Sequence, residues 1–176
     1  MKTVGLIQPN FQTGPKHLNS WYLPYTLGCL WSYVNQYKDI QDNFKIHSWI
    51  FQRPLIGDAV EQLVDCDVIF CSMYMWNINY CYKLLSTLKR INPDIIIVAG
   101  GPEIPWRDKN FFDDHPYIDS IAINEGEQAA LAVMRNIIAG EDLPKTLQFE
   151  RIKELDKLPS PYLTGVFDSL IEANPD

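Results

Sequence analysis

The chain has 176 residues, of which 47% are apolar and 21% charged, and its formal net charge is −7 at pH 7. That length suits one domain with a substantial buried core, and the composition is that of a globular protein. The acidic balance, with no basic stripe, excludes nonspecific nucleic-acid binding, which needs clustered Lys and Arg, and no apolar run has the length of a bilayer span.

The opening MKTVGLIQPN reads as a strand, over residues 3–8, rather than as a secretory signal. Leu23, Leu27, Leu30, Trp31 and Val34 recur at helical spacing and make one face of a helix. Pro24 suits its first turn, where the missing N–H is not needed. Residues 44–51 form a second strand, placed towards an edge by Lys45, His47 and Ser48. A short helix over 55–64 leads to a third strand over 68–72. Ile78, Cys81, Leu84, Leu85 and Leu88 mark the next helix, which Asn92-Pro93 ends. A fourth strand over 95–99, a short helix over 109–115 and a fifth strand over 120–123 follow. The helix over 127–139 closes at Gly140, where glycine relieves left-handed strain. Strands alternating with crossover helices make an α/β fold with a parallel sheet covered on both faces. Five strands imply the flavodoxin-like (Rossmann-like) order 2-1-3-4-5, with ligands beyond the carboxyl ends near the switch between strands one and three. Residues 1–140 are the expected domain. Residues 141–176, proline-rich and without a clean period, read as a partly ordered extension.

Four loops should gather at the carboxyl rim: 9–22, 73–77, 100–108 and 124–126. Three carry tryptophan, namely Trp21, Trp76 and Trp106, and Met73, Tyr74, Met75 and Tyr22 join them. A buried aromatic removes about 150–250 Å² from water, so three on an open rim call for a cover. Gly100-Gly101 lets a ligand approach bare backbone, and Pro102 stiffens the exit. Neither a Walker A loop nor a G-x-G-x-x-G fingerprint is present. In the run NEGE, Asn124 can cap the last helix with Glu127 as its capping-box partner. Glu125 is then free to face the site, and Gly126 keeps the turn open. His17 is the one histidine placed to meet a ligand, since His47 lies on an edge strand and His115 in a surface turn. The first strand ends in Gln8-Pro9-Asn10, without the acids of a phosphoryl-accepting domain, and no G-x-S-x-G elbow occurs. No catalytic constellation is read. Cys29, Cys66, Cys71 and Cys81 include no C-x-x-C pair, which argues against zinc and iron–sulfur sites and for a reduced, cytoplasmic compartment.

The runs LIQPN, YLPYTLGCL, DCDVIFCSMYMWN, INPDIIIVAGGPE, IDSIAINEGEQAAL and ELDKLPSPYL carry a further signal in their order and spacing. Through them nearly the whole chain resembles the N-terminal cobalamin-binding domain of cobalamin-dependent radical S-adenosylmethionine enzymes. Ser72-Met73-Tyr74 stands where older cobalamin domains carry S-x-L, and Gly100-Gly101 where they carry G-G. Their D-x-H-x-x-G is missing, which implies that the lower axial histidine of cobalt is absent unless His17 substitutes. The resemblance implies cobalamin as the cofactor, its nucleotide tail passing Gly100 and Gly101 and hydrogen-bonding Ser72. Thr26 and Gly28 would line the tail's slot. Tyr74, Met75 and Trp76 would lie beneath or beside the corrin, and Trp106 would shield its rim. Pro9, Asn10, Met73, Pro102, Glu103, Glu125 and Gly126 complete the expected binding set. An iron–sulfur cluster and S-adenosylmethionine would belong to a downstream barrel carrying C-x-x-x-C-x-x-C, which this chain lacks. Residues 141–176 would lead to that barrel. The chain alone is then not catalytic, the parent enzyme is a methyltransferase or a relative, and neither nucleic acid nor membrane is a partner. Two alternatives stand beside this reading. One is an interaction module of the same fold, its pocket plugged, docking on a catalytic barrel. The other is a flavin site, disfavoured by the few hydroxyls in PNFQTGPKHLNSW.

Overall fold

The structure is a computed structural model that describes residues 1–11 and 21–174. Its centre is a parallel sheet of six strands in the order β2-β1-β3-β4-β5-β6. These are β1 (Lys2–Ile7), β2 (Phe44–Ile50), β3 (Val68–Ser72), β4 (Ile96–Gly100), β5 (Ser120–Ile123) and β6 (Thr146–Gln148). The first five take the expected order. The strand count of five is corrected to six, because β6 lies in the segment read as an extension. It pairs Leu147 with Ala122 of β5. Only Leu147 of its three residues is buried, so no apolar run announced it.

Every residue of β3 is buried, as a strand covered on both faces requires. Its side chains alternate between two cores. Ile69 and Cys71 pack with α3 (Ile56–Leu63), α4 (Ile78–Ile91) and α5 (Phe111–Asp114). Val68 and Phe70 pack on the other face with α1 (Tyr25–Val34), α2 (Lys38–Asn43) and α6 (Glu127–Ala139). The amphipathic face read for α1 is the buried one: Leu27, Leu30, Trp31 and Val34 all sit in the core. Helix α2 was not anticipated, since its sequence KDIQDN offers one buried residue, Ile40.

The end of the chain folds back on the sheet. Phe167 and Leu170, the latter on α7 (Asp168–Ala173), form a third apolar cluster with Phe51. A Cβ on Gly28 would collide with the Phe167 ring. Gly28 therefore serves this close approach instead of the cofactor slot expected for it. Ser32 Oγ and Thr164 Oγ1 hydrogen-bond at 2.8 Å beside the same contact.

Candidate functional site

Ser72 and Gly100 are register partners at the carboxyl ends of β3 and β4. The two strands exit in contact. The Met73 N–H donates to the Gly100 carbonyl at 2.7 Å, and Gly101 turns away with φ +106°. A Cβ at Gly101 would overlap the Met73 backbone, so the turn itself demands glycine there. Gly100 is different. A Cβ on it would meet Ala122 Cβ at 3.5 Å, an ordinary contact. Packing does not require its bareness.

Beyond these strand ends lies a cavity of about 510 Å³. Phe70, Ser72, Val98, Gly100 and Ala122 line it from the sheet, and Leu27, Leu30 and Ala130 from α1 and α6. Apart from serine this interior is apolar. Ser72 is 3% exposed, and its Oγ is the one buried side-chain polar atom without a hydrogen-bond partner among the described residues. Such orphans are rare in folded proteins and point to a missing partner.

The mouth holds Thr26, Tyr74, Gly101, Pro102, Ile104, Trp106, Asn124, Glu125, Gly126 and Arg151. Tyr74 Oη and Thr26 Oγ1 hydrogen-bond at 2.8 Å. Trp76 stacks on Tyr74 with centroids 4.5 Å apart and planes 8° from parallel. Phe11 meets Trp76 edge-on at 5.8 Å and stacks on Tyr22 at 5.1 Å. Trp76 and Trp106 remain 40% and 45% exposed, and Met75 75% exposed. The rim thus keeps an uncovered apolar surface beside the cavity. The third rim tryptophan is corrected: Trp21 packs edge-on against Phe51 at 5.4 Å, away from the mouth.

Two side chains stitch the rim together, and sequence reasoning missed both. Asn77, 1% exposed, donates to the carbonyls of Pro9 and Ser72 and accepts the Tyr74 N–H. Arg53 Nε donates to the Asn10 carbonyl at 2.8 Å, and its second nitrogen donates to the Trp76 carbonyl. Pro9 and Asn10 hence present their backbone to these clamps and do not line the cavity. Met73 is fully buried in the core, and Glu103 is exposed outside the cavity. Thr26, Ser72, Tyr74, Gly100, Gly101, Pro102, Glu125 and Gly126 of the expected set do line it. Its apolar members, Phe70, Val98 and Ala122, carried a strand signal only.

The capping box expected from Asn124 and Glu127 does not form. Asn124 takes φ 68°, the cap position falls to Gly126, and no side chain caps α6. Glu127 is pushed above its ordinary pKa by burial, against the pull of its own N–H and that of Gly126. Glu125 has a structural duty after all: its Oε2 accepts the Ile152 N–H at 2.9 Å. Among the described residues no group of three or more His, Cys, Asp or Glu could hold a metal ion. His17 lies outside the described residues.

Residues 50–134 match the family model described as B12 binding domain. That stretch carries β3, β4, β5 and the start of α6, hence Ser72, both glycines and Asn124–Gly126. Over 165 residues the chain is 29% identical to the cobalamin-dependent radical SAM methyltransferase TokK of Streptomyces tokunonensis, covering 85% of this chain and 24% of that protein. It is 28% identical, with the same coverage, to the 2-(S-pantetheinyl)-carbapenam-3-carboxylate methyltransferase of Streptantibioticus cattleyicolor. The chain therefore spans about a quarter of the length of these curated relatives, at 24% of each. Among solved structures, the RcsB response regulator of Salmonella typhimurium superposes with a TM-score of 0.55 at 14% identity, over 98% of this chain and 78% of that one. That likeness is one of fold alone. Residues 50–134 are thus similar to the B12 binding domain family, and over most of its length the chain is similar to cobalamin-dependent radical SAM methyltransferases.

Proposed function

We propose that this chain holds cobalamin as the cofactor-carrying part of a cobalamin-dependent radical S-adenosylmethionine methyltransferase. The residues present fit that group. A cavity of about 510 Å³ falls within the range of small-ligand sites, about 300–1,000 Å³. It suits the nucleotide tail, while the flat corrin would lie over the exposed aromatic rim at Tyr74 and Trp76. Ser72 Oγ would hydrogen-bond the tail, and Gly100 would give it room against bare backbone. Thr26 and the Tyr74 hydroxyl, already bonded to each other, would border its entry. When bound, cobalamin supplies a cobalt centre able to carry a methyl group. The chain's own task is to bind the cofactor, orient it and shield one side of it. The iron–sulfur cluster and S-adenosylmethionine would be held outside this chain, in a barrel that residues 141–176 lead towards. The compartment would be cytoplasmic.

The observation that carries this reading is the orphaned Ser72 hydroxyl beside a glycine whose bareness packing does not require. No described side chain fills the cavity, which weighs against a plugged interaction module. Reconstitution tests the reading. The purified chain, mixed with hydroxocobalamin and passed through gel filtration, should elute with the corrin absorbance. Elution of all corrinoid in the small-molecule fraction, for this chain and for the full-length enzyme alike, would refute it.

A further inference from the structure

We propose that Arg151 is the anion-recognising residue of this cavity, selecting ligands whose buried tail carries a phosphate group. The assignment rests on the cobalamin reading and deepens it. Among the described residues that line the cavity, Arg151 is the single cation and Glu125 the single anion. Their Nε and Oε1 atoms stand 3.9 Å apart at the mouth, with the two side chains 86% and 36% exposed. A pair so long and so wet is worth little, so the guanidinium gives up little in turning to a better acceptor. Its backbone is not free in the same way. Glu125 Oε2 accepts the Ile152 N–H at 2.9 Å, and Gln128 Nε2 donates to the Glu150 carbonyl at 3.2 Å. The segment around Arg151 is thus pinned at two points to the start of α6, while its side chain has that one distant ionic partner among the described residues. The result is a fixed post carrying a movable fork.

The charge pattern says what the fork is for. The chain carries a net charge of −7, which repels an approaching anion unless a local cation offsets it. The interior behind the mouth, at Phe70, Val98 and Ala122, offers no charge. A ligand with an uncharged body inside and a phosphate oxygen at the mouth matches that division. Guanidinium binds such oxygens through two parallel hydrogen bonds, as an ammonium does not. The nucleotide tail of cobalamin carries one phosphodiester, whereas cobinamide, with the same corrin, has neither nucleotide nor phosphate.

The test titrates the 176-residue chain and its Arg151→Gln variant with hydroxocobalamin and with aquocobinamide, at low and high salt. Because the side chain is 86% exposed, the variant should keep the thermal midpoint of the wild type. Arg151→Gln should weaken hydroxocobalamin binding by about tenfold, the lower end for a hydrogen bond to a charged group. It should also remove most of the salt dependence and leave cobinamide within about twofold. Arg151→Lys should recover part of the loss, as charge without the fork. Equal weakening of both corrinoids, or an unchanged affinity for hydroxocobalamin, would overturn the Arg151 assignment alone. A wild-type chain that binds neither corrinoid would overturn the cobalamin reading, and this assignment with it.

Discussion

Ser72 and the two glycines after it divide the work of the site at atomic scale. A buried hydroxyl without a partner costs about 1–3 kcal/mol, and Ser72 Oγ is such a group. Ser72→Ala should raise the stability of the free chain by about 1 kcal/mol in urea melts while weakening cobalamin binding. A loss of stability would show that the hydroxyl already has a partner. Gly101→Ala should act the other way. Its φ of +106° and the Met73 backbone leave no place for a Cβ, so a loss of about 2–3 kcal/mol or more is expected. The sequence displayed both glycines, yet not their different duties. Those depend on Met73 pressing on one and only Ala122 lying near the other. Asn77 and Arg53 were illegible for a related reason. Besides the local backbone of Ser72 and Tyr74, their partners are backbone atoms of Pro9, Asn10 and Trp76, brought near only by the parallel register of β1, β2 and β3.

Elements with many buried residues were legible, whereas of those resting on one only α5, on Phe111, was read. Strands β3 and β4 read as continuous apolar runs because helices cover both their faces. Strand β6 and helix α2 each rest on a single buried side chain, Leu147 and Ile40, which leaves no period to detect. Leu147 is nonetheless 6% exposed in the core under α6. Leu147→Ala should cost about 2 kcal/mol, the low end for a core truncation, read from the shift of the urea midpoint. The docking of α7 depends on a bare Gly28. Gly28→Ala should expel the Phe167 ring, so that limited proteolysis cuts the chain near 160–170 faster than in the wild type. An unchanged cleavage rate would mean that the ring does not rest there.

At the scale of the whole molecule, His115 and Glu127 are among the described groups that tie stability to pH, and they do so with opposite signs. Burial holds His115 below its ordinary value of 6.5, against Asp114 and Asp108. The fold thus binds fewer protons there than the unfolded chain, and this contribution is present above pH 6.5 and lost as pH falls through the folded value. Glu127 is raised above 4.5 by burial. The fold keeps its proton longer, so its contribution is present below pH 4.5 and lost as pH rises through the folded value. Glu127→Gln should therefore be more stable than the wild type at pH 7, with the difference vanishing below pH 4.5. The hollow behind Ser72 is probed most directly by Gly100→Val. Gly100 has no positive φ, and a Cβ there meets only Ala122 at 3.5 Å, so the variant should fold while its methyl groups occupy the tail's path. Calorimetric titration with hydroxocobalamin should show one site per wild-type chain and, in Gly100→Val with an unchanged circular dichroism spectrum, affinity lower by more than about tenfold. Equal affinity in the two proteins would contradict the account.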